Sequence, residues 1–287
     1  MAGVEGRVVI VTGAGGGLGR AYALFLASVG AKVVVNDLGG SRDGSGAGSA
    51  MADAVVEEIR SAGGEAVASY DSVATEEGSL AIVQTAIDAF GAVHGLVNNA
   101  GILRDTSFSK MDTEAWKLVQ AVHLDGGYFM SKAVWPHFRE QGFGRIVMAS
   151  STSGLFGNFG QANYGAAKAG LVGLLNTLAI EGGRDNILAN AIAPMAATRM
   201  TEDIAPAELL AKLPPEFVAP VVAYLLTEES TETGSVFVAG GGQVYRVAQF
   251  QNQGVVFPEP PSLGEVADRW SEITDLSDAV VGKNPVG

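Results

Sequence analysis

Short unbroken apolar runs alternate along this chain with longer stretches in which apolar side chains return every three or four residues. The first run, "RVVIVTG" (residues 7–13), breaks into glycines before the helical pattern "LGRAYALFLASVG" (18–30). "KVVVND" follows, then the helical "SAMADAVVEEIRSAG" and the short run "EAVASYD". The series continues with "SLAIVQTAIDAFG" into "VHGLVNNAG" and "EAWKLVQAVHLDGGYFMSKAVWPHFREQG" into "GRIVMASS". A helix through "GLVGLLNTLAIEG" then leads to "NILANAIAP", and "PEFVAPVVAYLLTE" leads to "GSVFVAGGG". Strands that are apolar throughout, rather than alternating, belong to sheets covered on both faces. Their alternation with helices of this length implies right-handed βαβ crossovers. The pattern predicts an α/β fold, a doubly wound parallel sheet of seven strands in a domain of residues 1–245. Residues 246–287 read as an extension that packs on the domain or on a neighbouring subunit.

Two segments fall outside the series. "LGGSRDGSGAGSA" (38–50) is rich in Gly and Ser and predicts a mobile loop between the second strand and its helix. It lacks the Lys-Ser/Thr ending of a phosphate-binding P-loop. Near the end, "FPEPPSLGEVADRWSEITDLSD" predicts a Pro-rich turn and then an amphipathic helix.

Composition narrows the function classes. The chain is 47% hydrophobic and 17% charged, which describes a globular protein rather than a disordered one. No apolar run reaches the roughly 18–20 residues that span a bilayer. The absence of Cys removes thiol chemistry, and His94, His123 and His137 lack metal-ligand spacing, so no metal is expected. A net charge of −13 argues against a nucleic-acid partner. The opening has no leader-like pattern and the end, "NPVG", no peroxisomal signal, so the expectation is a cytoplasmic protein.

The first chemical signal is "TGAGGGLG", which places Gly13, Gly17 and Gly19 between a strand and a helix. Glycines there let backbone amides approach a pyrophosphate at the helix N-terminus. Asp37 closes the second strand, 24 residues after Gly13, where a carboxylate can bind ribose hydroxyls. It would repel a 2′-phosphate, which favours NAD over NADP; Arg42 nearby is the cation that would offset that repulsion. The second signal is "YGAAK", with Tyr164 and Lys168 one helical turn apart. A phenol with a pKa of about 10 is a poor base near neutrality unless positive charge favours its phenolate, and Lys168 supplies that charge.

These motifs, in this order, resemble the short-chain dehydrogenase/reductase family over residues 5–245. "TGAGGGLG" is similar to the family's TGxxxGxG, "NNAG" (98–101) to its fourth-strand motif, "YGAAK" to YxxxK, and Ser151 stands 13 residues before Tyr164. The resemblance implies a Rossmann fold and catalysis by Ser151, Tyr164 and Lys168. It implies cofactor contacts from Gly13, Gly17, Leu18 and Gly19 at the phosphates, and from Asp37 at the ribose. Asp71, Ser72 and Val73 would lie at the adenine, with Asn99, Ala100 and Gly101 alongside. Tyr164 and Lys168 would hold the nicotinamide ribose, and Pro194 and Thr198 its carboxamide. Where the family often has a relay Asn, this chain has His123. Gln161 and Asn163, beside Tyr164, read as structural.

Finer stretches such as "NNAGILRD", "GLFGNFGQANYGAAK" and "IAPMAATRMT" resemble the (3R)-hydroxyacyl-CoA dehydrogenase part of peroxisomal multifunctional enzymes of type 2. The implied substrate is a (3R)-3-hydroxyacyl-CoA, oxidised in fatty-acid metabolism. A steroid or other apolar ketone is the alternative, and a non-catalytic nucleotide-binding scaffold a third reading. Residues 195–213, with Met195, Met200, Ile204 and Leu209, are expected to form a lid lining an acyl chain, and Arg104, Lys110 or Arg199 to offset the acyl-CoA charge. The family commonly assembles through the helices holding "EAWKLVQAV" and "YGAAKAGLVGLLNTL", which implies a homodimer or homotetramer.

Overall fold

A computed structural model of the protein describes residues 3–197, 208 and 211–282. Thr198, Arg199, Met200, Ile204 and Leu209 lie outside the described residues.

The strands are β1 (Val8–Thr12), β2 (Lys32–Asn36), β3 (Glu65–Ser69), β4 (Gly95–Asn98), β5 (Gly144–Ala149), β6 (Ile187–Pro194), β7 (Val236–Gly240) and β8 (Gln243–Val247). They form one sheet in the order β3-β2-β1-β4-β5-β6-β7-β8. β1 to β7 pair in parallel, as the sequence predicts, for example Val9 opposite Val33 and Val11 opposite Val97. β8 is an addition, reached through Gly240, Gly241 and Gly242, all at positive φ. Its residues are largely exposed, so no apolar run announced it.

Alternate β1 side chains enter different cores. Val9 and Val11 pack with α1 (Gly17–Ser28), α2 (Ala50–Ser61) and the later helix Ala219–Leu225, while Val8 and Ile10 face α3 (Glu76–Phe90). That second core also takes α5 (Gly126–Gln141) and α7 (Ala162–Gly182). Both faces of the strand are thereby dry, which explains its all-apolar sequence. Between α3 and α7 lie β4, α4 (Thr113–Gln120), β5 and the five-residue α6 (Thr152–Phe156). The long helical pattern read through "EAWKLVQAVHLDGG" is interrupted by a π-helical turn, Ala121–Asp125, that carries His123. Counting Ala219–Leu225 as α8, the last helices are α9 (Leu263–Asp268) and α10 (Trp270–Thr274). They replace the single amphipathic helix expected there, and a capping box between Ser262 and Glu265 starts the first of them.

The chain divides into two compact units, Met1–Tyr245 and Arg246–Gly287. In the second, β9 (Phe250–Gln251) pairs antiparallel with β10 (Val280–Val281). Among the described residues no helix is long and apolar enough to cross a membrane.

Candidate active site

The winding of the sheet reverses between β1 and β4, and such a switch point opens a crevice at the carboxyl ends of the strands. Here the crevice is lined by Gly13, Gly17, Leu18, Gly19, Asp37, Asp71, Ser72, Val73, Asn99, Ala100 and Gly101. Eleven positions singled out in the sequence thus share one cleft. Its floor is set by Thr12. That hydroxyl donates to the Val97 carbonyl at 3.3 Å and accepts the Asn99 and Ala100 amides, both at 3.0 Å. Asn99 returns its side-chain amide to the Thr12 carbonyl at 2.9 Å. The sequence signal for Thr12 is a hydroxyl closing an otherwise apolar strand.

Gly13 has φ 64°, and a Cβ there would stand 2.8 Å from the Ala100 Cα. The backbone is therefore cradled against a space that only glycine leaves open. Helix α1 starts at Gly17 with no acidic residue in its first turn, so its amide end faces the cleft without a competing anion. Asp37 accepts the Gly15 amide at 2.8 Å on one oxygen and the Gly39 amide at 2.7 Å on the other. Both oxygens are oriented, and each keeps a lone pair for a ribose hydroxyl. Glycine cradle, open helix end and fixed carboxylate together fit a dinucleotide.

Hydrogen bonds hold the Gly/Ser-rich loop, which its composition predicts to be mobile. The Leu103 amide donates to the Arg42 carbonyl at 3.0 Å, Arg104 Nε donates to the Asp43 carbonyl at 2.9 Å, and the Gly48 amide donates to the Leu38 carbonyl at 2.9 Å. Ser41, Arg42 and Gly44 consequently line the cleft beside Asp37. Long-range partners 60 residues away were invisible in the local composition.

Ile102 and Val122 also line the cleft, and Val122 and Tyr164 both pack against the small buried cluster of Ile102, Val119 and Ala167. Ser151, Tyr164, Lys168 and Pro194 do not themselves line this cleft. Lys168 lies 5.5 Å from the Tyr164 ring centroid, buried, with Nζ donating to the Ala149 carbonyl at 2.6 Å. Ser151 caps α6 and accepts the Ser153 amide at 3.1 Å. Gly154 lets α6 approach α7, since a Cβ there would meet the Lys168 Cβ at 2.7 Å. Pro194 ends β6 opposite Ala239.

The electrostatics differ from the expectation at one point. Burial pushes Tyr164 up, a hydrogen bond from Ser151 pulls it down, and Asp105 adds to the rise. Burial also lowers Lys168 to about 7. The phenolate is therefore not preformed in the chain alone, because both groups sit where charge is costly. His123 packs edge-on against Tyr164 with centroids 5.1 Å apart. Its Nε2 lies 3.0 Å from the Ile102 amide and 2.8 Å from the Ile102 carbonyl, while Nδ1 is buried without a partner among the described residues. Burial and the neighbouring Lys168 hold His123 well below its ordinary range, hence neutral. Gly101 is required beside it, as a Cβ would stand 2.3 Å from the imidazole Cε1.

The model of the short chain dehydrogenase family matches residues 7–209. This chain belongs to the short-chain dehydrogenase/reductase family. It is 68% identical over 281 residues to a protein of Mycobacterium tuberculosis assigned to the short-chain type dehydrogenases/reductases, covering 98% of each. A hydroxyacyl-CoA dehydrogenase of the same organism is 39% identical over 263 residues, covering 85% of this chain and 80% of that one. The full-length peroxisomal multifunctional enzyme type 2 of Drosophila melanogaster superposes with a TM-score of 0.83 at 43% identity. That match covers 98% of this chain and 48% of the fly protein, so the chain spans about half the length of that relative. As a short-chain dehydrogenase/reductase, the protein is an oxidoreductase that binds a nicotinamide cofactor.

Proposed function

We propose that the protein oxidises (3R)-3-hydroxyacyl-CoA thioesters to 3-ketoacyl-CoA with NAD. The observation that carries the reading is that one cleft holds the glycine turn and Asp37, and that Ile102, which lines it, belongs to the small buried cluster against which Tyr164 packs. A bound oxidised nicotinamide would accept the hydride and bring positive charge to the site. Asp37 selects NAD, because one carboxylate can bind both ribose hydroxyls and repels a phosphate.

The chain's own residues handle the proton. Ser151 accepts the Ser153 amide and donates to Tyr164, and a substrate oxygen beside Tyr164 would take that proton in turn. Tyr164 takes the proton of the substrate hydroxyl as the C3 carbon gives up hydride and the carbonyl forms. Lys168, one turn on, orients the cofactor ribose and lies 5.5 Å from the centre of the phenol ring. The thioester substrate is supported by the names of the relatives, a hydroxyacyl-CoA dehydrogenase and a multifunctional peroxisomal enzyme. A steroid or other apolar ketone is the second reading, favoured by the net charge of −13, which opposes a polyanionic substrate. Exposed Trp116 on α4 and Ile180 on α7 support a homo-oligomer built through those helices.

The deciding experiment compares (3R)- and (3S)-3-hydroxyacyl-CoA with a hydroxysteroid, each with NAD, by nicotinamide absorbance. Oxidation of only the (3R) thioester is expected; activity confined to the steroid would overturn the reading.

A further inference from the structure

Residues 104–106, beyond β4, run beside residues 160–163 at the start of α7. Three hydrogen bonds join the two strips. The Thr106 amide donates to the Gly160 carbonyl at 2.9 Å, Asn163 Nδ2 donates to the Arg104 carbonyl at 3.0 Å, and Gln161 Nε2 donates to Asp105 Oδ2 at 2.7 Å. Only the last is made by a charged side chain, and it leads onward. Gln161 Oε1 accepts the Ser153 hydroxyl at 2.7 Å and Asn158 Nδ2 at 3.1 Å. The Ser153 amide in turn donates to Ser151 Oγ at 3.1 Å.

We propose that Asp105 is a positioning residue of this site, acting through Gln161 and Ser153 on the hydroxyl of Ser151, a role that rests on the secondary-alcohol chemistry proposed above. A carboxylate can only accept, so it fixes which end of the Gln161 amide faces it. With Nε2 turned to Asp105, Oε1 is left to take the Ser153 proton. Ser153 is thereby tied to α7, and its backbone amide stays on the Ser151 oxygen. That contact occupies a lone pair of Ser151 and so restricts where its proton can point, towards Tyr164 here and towards a substrate oxygen beside it. Gln161 is 7% exposed, so water cannot readily replace a lost partner. Asp105 itself stands outside the cofactor cleft, lining a neighbouring hollow with Arg42 and Asp43.

The same carboxylate bears on Tyr164. The titratable groups facing that phenol are Lys168 from its own helix, His123 from the π-helical turn and Asp105 from the strip beyond β4. After burial, Asp105 is the second influence that raises Tyr164, against the lowering hydrogen bond of Ser151.

The test measures kcat against pH for alcohol oxidation in the native protein, Asp105→Ala and Asp105→Asn, with cofactor titrations and thermal melts. Asp105→Ala is expected to lower kcat by about 10- to 100-fold while keeping cofactor affinity, as a misplaced reacting group does. Asp105→Asn still offers an oxygen to Gln161 and should recover most of that loss. It removes the negative charge, so Tyr164 deprotonates more easily and the acid limb of the profile moves to lower pH. Native kcat in Asp105→Ala would overturn the proposal. So would an Asp105→Asn protein as slow as Asp105→Ala with an unmoved limb. If Asp105→Ala does not fold, Ser153→Ala, which cuts the same chain of hydrogen bonds at its next link, takes its place: a comparable fall in kcat at unchanged cofactor affinity supports the role, and native kcat overturns it. No turnover of any secondary alcohol by the native protein would overturn the functional reading and this role with it.

Discussion

Among the described residues the Lys168 ammonium has one acceptor, the Ala149 carbonyl, and it is 3% exposed, which lowers its pKa from 10.5 to about 7. Between those two values the unfolded chain holds a proton that the folded chain has released. Stability of the cofactor-free protein must therefore rise with pH across that window, by up to about 1.4 kcal/mol per unit. Lys168→Met removes the titration and should lack the slope. Urea unfolding should show the variant gaining on the native protein as pH falls from about 10 to about 7, while turnover is lost. Parallel slopes would mean that the ammonium is not buried in solution. Tyr164→Phe tests the other member of the pair. It should lower kcat by at least about 100-fold with cofactor affinity intact, since only the proton-transfer group is removed. Near-native turnover would exclude Tyr164 as the base. Asp37 should give NAD a kcat/KM advantage over NADP of about 100-fold or more. Equal use of both would show that Arg42, which lines the same cleft, neutralises it.

Helix α6 has five residues and depends on its contact with α7 to hold Ser151 in place. A Cβ at Gly154 would stand 2.7 Å from the Lys168 Cβ and 2.9 Å from the Ala169 amide nitrogen, both fixed by the α7 backbone. Gly154→Ala should therefore push the two helices apart at a cost of about 1–3 kcal/mol, as overpacking does. Because the glycine turn and Asp37 lie on other elements, turnover should fall more than cofactor affinity. Parallel thermal melts and fluorescence titrations check this, and an unchanged melting temperature would show that α6 yields freely.

A charge of −13 surrounds a site proposed to take a polyanion. Long-range repulsion of this kind is screened beyond about 10 Å at 0.1 M salt. Raising salt from about 20 to about 200 mM should accordingly increase kcat/KM for a CoA thioester several-fold and leave an uncharged ketone unaffected. A decrease with salt would place the dominant field in local cations such as Arg104 and Lys110 instead.

Much of this was legible from local pattern alone. Strands dry on both faces must be apolar throughout, so β1 to β7 and their helices could be read in order. A glycine turn, a carboxylate at the next strand end and a tyrosine one turn before a lysine are also local, because helix and strand periods fix which side chains share a face. Tertiary structure decided whatever depends on partners far along the chain. The loop after β2 is held by Leu103 and Arg104 some 60 residues on, and Gln161 by Asp105, 56 residues back. The π-helical turn sets His123 against Ile102 and Tyr164, 21 and 41 residues away in the chain, and the exposed β8 leaves no apolar trace. Spacing predicted a lysine whose charge helps a phenol. Burial, which no spacing records, put both groups where charge is expensive.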